Sequence, residues 1–217
     1  MIDVAELLQN PPKQGNVFSS DIYVQGDTEL GLIENRFGSR LVALPENLLK
    51  AIDKTLEFEV GGAKSLIQGQ YGSWWGKTFY RRFQTEVQSY YDKPLNELSM
   101  MDFIQCLQEC WISYGWGKIE LNMDAYKKGY LIAILQNPAS STIAEETDKS
   151  ICYVESGFLS GFFGQLTQQD LDTLEVPSSE DDKFYFVLGL PERLSPLSAL
   201  IEEGHTFDTI MERICDG

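Results

Sequence analysis

The pattern of hydrophobic and polar positions along the chain predicts short strands that are grouped between longer helices. Apolar residues that alternate with polar ones, or run together between turn-forming residues, predict strands. The predicted strands are Leu30–Asn35, Arg40–Leu44, Lys118–Met123, Gly129–Gln136, Leu171–Val176 and Lys183–Leu188. Apolar residues at helical spacing predict helices over Pro45–Val60, Ala63–Tyr91, Met100–Ser113, Glu145–Leu166, Glu192–Glu203 and Thr206–Ile214, with a short apolar turn or helix at Val4–Leu8. This order lacks the regular alternation of a doubly wound sheet, so we expect an α+β fold in which an antiparallel sheet packs against a helical layer in a single domain.

Glycines mark two of the predicted helices. Gly69, Gly72 and Gly76 are expected to interrupt the helical run that ends at Tyr91. Gly157 and Gly161, with Ser160 and Gly164 beside them, form a ridge of small residues on the helix that ends at Leu166. Such a ridge lets another helix approach closely, and that helix belongs either to the same chain or to a second subunit.

The charge distribution limits the partners. The chain carries 17 basic and 33 acidic residues, a net charge of −16, which argues against binding to nucleic acid or to an anionic membrane surface. The excess is uneven, because Ser141–Gly217 has 16 acidic and 4 basic residues whereas Pro45–Tyr91 has 5 acidic and 6 basic. No stretch approaches the roughly 20 apolar residues that cross a bilayer, and the N-terminal residues do not form a secretory signal. We expect a cytoplasmic protein without direct membrane insertion. Any association with the periphery of a membrane would come through a partner.

Few residues are arranged for catalysis. Cys106 and Cys110 lie four positions apart on one predicted helix, but a structural zinc needs four ligands and no second Cys/His pair has ligand spacing. His205 is the only histidine and has no nucleophile motif around it. The segment Gly115-Trp116-Gly117 lacks the third glycine of a dinucleotide-binding loop, and no phosphate-binding loop is present. We therefore expect no cofactor and favour a binding protein over an enzyme.

Aromatic residues are concentrated on three predicted helices, with glycines between them. Glycine beside a large ring leaves room for a flat or hydrophobic ligand, and the rings then form its walls. The simpler alternative is a core that is rich in aromatic residues. The candidate ligand-binding residues are Tyr71, Trp74, Trp75, Phe79, Trp111, Phe158 and Phe162.

The C-terminal half of the pattern resembles a known family. Tyr114-Gly115-Trp116-Gly117 ends a helix before a strand, Cys152 precedes Ser156-Gly157-Phe158-Leu159-Ser160-Gly161-Phe162, and Glu175 leads into a final strand. With the preceding hairpin and helices, this is similar to the 4-vinyl reductase domain family, small-molecule-binding domains related in fold to subunits of the Golgi trafficking particle. The resemblance covers roughly Gly38 to Leu188 and implies a frequently dimeric α/β domain with an apolar pocket. It divides the chain into an N-terminal extension (1–29), a ligand-binding domain (30–190) and a C-terminal helical tail (191–217).

The resemblance also raises the question of a metal. Sensor members of the family hold a zinc ion through a Cys, a Glu and two further Cys. Cys152 and Glu175 match the first two positions, but Ser178 occupies the third and the fourth lies within Phe184–Phe186. Two ligands do not form a closed tetrahedral site, so we predict no zinc.

The family name implies a role with chlorophyll precursors. Stand-alone members with an N-terminal extension like Met1–Asp27 resemble proteins of photosynthetic bacteria and cyanobacteria, which implies pigment or photosystem biogenesis. Three hypotheses follow: a carrier for a hydrophobic molecule such as a tetrapyrrole, a protein assembly factor with a vestigial pocket, and a 4-vinyl reductase. Expected partners are the small molecule and a second copy of the chain or a photosynthetic-complex subunit near the thylakoid membrane.

Overall fold

Two antiparallel sheets and seven α-helices make up the part of the chain that the structure, a computed structural model, describes: residues 15–139, 152–178, 180 and 182–216. The helices are α1 (Ser20–Tyr23), α2 (Glu46–Val60), α3 (Lys64–Tyr91), α4 (Met100–Ser113), α5 (Tyr153–Thr167), α6 (Pro191–Glu202) and α7 (Phe207–Asp216). The strands are β1 (Val24–Asp27), β2 (Leu32–Asn35), β3 (Arg40–Leu41), β4 (Lys118–Asn122), β5 (Leu131–Gln136), β6 (Asp172–Val176) and β7 (Lys183–Gly189). The predicted α+β class is confirmed.

The larger sheet has the order β4-β5-β7-β6, and every neighbouring pair is antiparallel. Side chains alternate across a strand, so β7 serves two cores. Phe186 and Leu188 belong to the main core with α3, α4 and α5, whereas Tyr185 and Val187 face a second core formed with α6 and α7. The two C-terminal helices therefore cover the second face of the sheet.

Helices α3 and α5 pack with their backbones in contact. A Cβ atom added at Gly72 would lie 2.3 Å from the carbonyl oxygen of Val154, and one added at Gly161 would lie 2.2 Å from that of Ser73. Gly76 and Gly157 are equally close to the facing backbone, at 2.2 and 2.1 Å. The helix facing the small-residue ridge thus belongs to the same chain. The expectation that glycines interrupt the run to Tyr91 is wrong, because α3 is continuous and α5 covers the faces that the glycines leave bare.

The smaller sheet, β1-β2-β3, extends the predicted hairpin by one strand and packs near the start of the chain. Val17, Phe18 and Tyr23 lie in the predicted N-terminal extension, and all three are fully buried in the main core. The predicted turn at Val4–Leu8 and positions 145–151 of the predicted fourth helix lie outside the described residues. Among the helices described, none is long and apolar enough to cross a membrane.

Candidate functional site

An aromatic cluster lies between α3, α4 and α5. It consists of Trp75, Phe79, Trp111, Trp116, Phe158 and Phe162. The ring centroids of Trp75 and Phe158 are 4.7 Å apart, those of Phe79 and Trp116 are 5.0 Å apart, and most pairs meet edge to face. Such distances are typical of aromatic pairs in contact, so the rings pack directly on one another.

The cluster reaches the surface at two of its tryptophans. Trp75 is 37% exposed and Trp116 is half-buried, whereas the other four rings are buried. Trp116 follows α4 in a turn flanked by Gly115 and Gly117, both with positive φ. The carbonyl oxygen of Trp116 accepts a hydrogen bond of 2.9 Å from Trp111 Nε1. A molecule that enters the cluster from solvent meets Trp75 and the Trp116 turn first.

Two of the seven predicted ligand-binding residues lie apart from the cluster. Trp74 is 69% exposed and projects from α3 away from the glycine face that contacts α5. Tyr71 is also exposed, although partial burial and the nearby carboxylates of Glu155 and Asp53 raise its pKa to about 12. The structure thus brings together Trp75, Phe79, Trp111, Phe158 and Phe162, and their role as pocket walls stays a prediction.

A buried polar network adjoins the aromatic cluster through Tyr114. The Glu86 carboxylate is 5% exposed and accepts hydrogen bonds from Tyr23 Oη (2.7 Å), Asn35 Nδ2 (2.8 Å) and Arg82 Nε (2.8 Å). The Tyr23 and Tyr114 hydroxyls lie 2.9 Å apart, and the Tyr114 ring stacks on Trp116 at 4.6 Å between centroids. The network therefore joins the small sheet to α3 and to the rings.

Cys152 and Glu175, the residues aligned with the family's zinc ligands, do meet in space. The backbone N–H of Cys152 at the start of α5 donates a 2.6 Å hydrogen bond to Glu175 Oε2. Burial raises the pKa of Glu175 to about 7; the hydrogen bond from Cys152 opposes this rise and the charge of Glu155 adds to it. No three His, Cys, Asp or Glu residues of the described chain are grouped to hold a metal ion. The donor set does not fit a zinc site, and Glu175 instead accepts the backbone N–H of the residue that precedes α5.

A polar cleft of about 270 Å³ lies elsewhere, beside the C-terminal half of α5. It contains none of the seven predicted ligand-binding residues. Its lining residues are Ser73, Lys77, Ser160, Gly164, Gln165, Gln168, Gln169, Asp170 and Leu171.

The polar network is not predictable from local sequence patterns, because its members are far apart along the chain. Tyr23 and Glu86 are separated by 63 positions, and Tyr23 and Tyr114 by 91. The one local signal was the Arg82–Glu86 spacing of four on a predicted helix, which places both side chains on one face.

Comparison with known proteins identifies the fold. No protein-family model matches the chain, and no curated protein matches it. The crystal structure of the phenol-responsive sensory domain of the transcription activator PoxR, with phenol, matches 78% of this chain and 86% of that chain, with a TM-score of 0.58 and 11% sequence identity. This likeness shows a shared fold.

Two further solved structures are similar at a lower level. A vinyl-4-reductase family protein from Methanocaldococcus jannaschii gives a TM-score of 0.45 at 15% identity, over 68% of this chain and 82% of that one. A trafficking protein particle complex subunit 3 from Naegleria fowleri, covalently bound to palmitic acid, gives 0.48 at 10% identity, over 67% and 94%. Both scores lie below 0.5, so neither likeness supports an argument about this chain.

Proposed function

We propose that this chain, which shares its fold with a phenol-responsive sensory domain, is a binding domain for a hydrophobic small molecule. The observation that carries the proposal is the aromatic cluster, with its edge at Trp75 and Trp116 open to solvent. Ligand pockets are lined mainly by apolar and aromatic side chains that converge on a few polar groups. The cluster and the adjoining network at Tyr114 have this composition.

Entry of a ligand requires the rings at the edge to rotate, since they pack on one another. Trp75 contacts Trp116 at 4.8 Å between centroids, and each also contacts Phe158. Two tryptophans at the entrance make binding visible as a change in fluorescence.

The ligand itself is a finer proposal. The resemblance to the 4-vinyl reductase domain family favours a tetrapyrrole such as a chlorophyll precursor and a role in pigment or photosystem biogenesis. The phenol of the PoxR domain favours a smaller aromatic compound. A carrier role needs no hydride donor, so binding is proposed without catalysis; conversion of a divinyl precursor in the presence of a reductant would support a 4-vinyl reductase instead.

The test is a titration of the purified full-length chain with phenol, naphthalene and protoporphyrin, followed by tryptophan fluorescence. We expect saturable quenching by at least one probe at micromolar concentration. Trp75→Ala should weaken binding at least tenfold, whereas Trp74→Ala, on the outer face of the same helix, should leave it unchanged. Unchanged fluorescence with all three probes, confirmed by calorimetry, would refute the proposal.

A second proposal concerns association, and it is favoured by helix α2. No residue of α2 is fully buried, although Leu48, Ile52 and Leu56 recur at helical spacing. On α3, the next helix along the chain, Trp74 is 69% exposed. Contiguous exposed apolar patches often mark association surfaces. We call this the α2–α3 surface.

We propose that a second copy of the chain covers the α2–α3 surface. The chain carries a net charge of −16, so two copies repel each other over most of their surface. The segment Pro45–Tyr91 has 5 acidic and 6 basic residues and avoids this repulsion. Within it, Glu46 pairs with Lys50 and Asp53 pairs with Lys64 inside the same chain, so this surface brings little net charge to the contact.

Light scattering coupled to size exclusion tests this association. We expect a dimer for the unchanged chain and a monomer for Ile52→Glu combined with Trp74→Glu. Tyr126→Glu, which changes an exposed aromatic residue outside the α2–α3 surface, should remain a dimer. A monomer at all concentrations up to about 100 µM would exclude self-association. A different protein that co-purifies with the chain from its host, and no longer does so when the α2–α3 surface is changed, would favour the assembly-factor alternative.

A further inference from the structure

One face of α3 passes from apolar to charged residues within three turns. Trp75, Phe79, Arg82 and Glu86 follow one another at spacings of four, three and four, so their side chains share that face. Trp75 and Phe79 belong to the aromatic cluster, and Glu86 is the centre of the buried polar network. Arg82 therefore lies at the border between the two.

The protons of the network can be assigned from its acceptors. Glu86 only accepts, and its Oε2 takes the single hydroxyl proton of Tyr23. The Tyr114 hydroxyl must then donate to the Tyr23 oxygen, 2.9 Å away. The Tyr114 oxygen keeps its lone pairs, and no other hydrogen bond to it is made within the described residues.

Arg82 brings a donor that the network does not use. Its Nε donates to Glu86, but its Nη2 is buried and has no hydrogen-bond partner in the part of the chain that the structure describes. The guanidinium carbon lies 5.8 Å from the centroid of the Tyr114 ring, which in turn stacks on Trp116. The Arg82 side chain as a whole is 30% exposed, but its Nη2 atom is buried. A buried donor without a partner is unfavourable, and in native proteins such groups are usually paired with protein, water or a ligand.

We propose that Arg82 Nη2 donates a hydrogen bond to an uncharged oxygen of the bound ligand, a carbonyl or a hydroxyl, and so selects an apolar molecule with one polar oxygen. This assignment rests on the proposed binding function and names the ligand class for the same site. A hydrocarbon leaves Nη2 unpaired. A carboxylate meets the negative charge of Glu86, which already balances Arg82. A hydroxyl ligand has the further option of donating to the Tyr114 oxygen.

The experiment compares three probes that share a naphthalene body: naphthalene, 2-acetylnaphthalene and 2-naphthoate. Dissociation constants for the full-length chain are measured by ligand-observed NMR. We expect the ketone to bind at least tenfold more tightly than the hydrocarbon, and the carboxylate to bind more weakly than the ketone. Equal affinity for ketone and hydrocarbon in the unchanged protein would overturn the assignment while leaving the proposed binding function in place.

The variants separate recognition from folding. Arg82→Met alone leaves the buried Glu86 charge without its partner. The informative variant is therefore Arg82→Met combined with Glu86→Gln, which removes both charges together. We expect it to bind 2-acetylnaphthalene no more tightly than naphthalene. Arg81→Met, at the exposed neighbouring position, should keep the ketone preference. A double variant that retains the preference refutes the role of Arg82, and failure of all three probes to bind the unchanged protein refutes the binding function as well.

Discussion

Replacing Glu175 by Gln should stabilise the protein above neutral pH and change little in acid. Burial raises the pKa of Glu175 from an ordinary 4.5 to about 7, so the folded chain holds this proton more tightly than the unfolded chain. Between these two values the unfolding free energy falls as pH rises, because folding then favours the protonated form. The glutamine side chain is uncharged, and its amide oxygen can still accept the hydrogen bond from the Cys152 N–H.

The expected size follows from the shift. A tenfold change in proton affinity corresponds to about 1.36 kcal/mol, so raising the pKa from 4.5 to about 7 gives a loss of roughly 3 kcal/mol when the carboxyl is fully ionised. Glu175→Gln should therefore exceed the unchanged protein by roughly 2–3 kcal/mol at pH 8, with the difference vanishing near pH 4.5.

Urea unfolding followed by tryptophan fluorescence at pH 5, 6, 7 and 8 measures this difference, since the midpoint shifts when the slope is unchanged. The overall acidity of the chain affects both proteins equally and cancels. Asp172→Asn, an exposed carboxylate on the same strand, provides the control and should give a pH-independent difference. Parallel stability curves for Glu175→Gln and the unchanged protein would show that the carboxyl is not buried as described.

Three further changes test the helix packing, a helix cap and the polar network. Gly161→Ala places a Cβ atom 2.2 Å from a backbone oxygen and should lower the free energy of urea unfolding by about 3 kcal/mol or more. Gly62→Ala, where a Cβ atom meets nothing within 4 Å, should lower it by less than about 1 kcal/mol. Equal losses in the two variants would contradict the close contact between the helices. Ser99→Ala removes the side-chain acceptor at the start of α4 and should lower the unfolding free energy by about 1 kcal/mol. Ser99→Thr should not show this loss, because its hydroxyl can still accept from the Asp102 N–H and donate to the Asp102 carboxylate. Glu86→Ala leaves the Arg82 charge without its carboxylate and should lower the thermal unfolding free energy by about 3–5 kcal/mol; a loss below about 1 kcal/mol would mean that solvent already screens the pair.

Local patterns predicted the elements well and their contacts less well. The helix at Met100–Ser113 has the predicted bounds, because Ser99 caps it and the chain turns at Gly115. The predicted interruption of α3 at its glycines is wrong because, although glycine weakens an isolated helix, here it allows α5 to approach. The stabilisation from this close packing depends on both helices, so the sequence of one helix does not reveal it.

The candidate site likewise combines residues that local patterns predict with long-range contacts that they do not. Helical periodicity identified Trp75, Phe79, Phe158 and Phe162, but it also selected Trp74, because spacing along a helix does not say which face meets the rest of the chain. The Tyr23–Glu86 hydrogen bond joins positions 63 apart and leaves no local trace. Long-range polar pairs of this kind become predictable only once the fold is known.

The backbone contact between α3 and α5 also has an evolutionary consequence. Four positions, Gly72, Gly76, Gly157 and Gly161, share one constraint, since a side chain gained at any of them forces the two helices apart. Divergent copies of this gene should thus retain small residues at these four positions while the rings beside them are exchanged to suit other ligands. In such a family the four small positions would identify common descent, and differences among the aromatic residues would identify differences in ligand specificity.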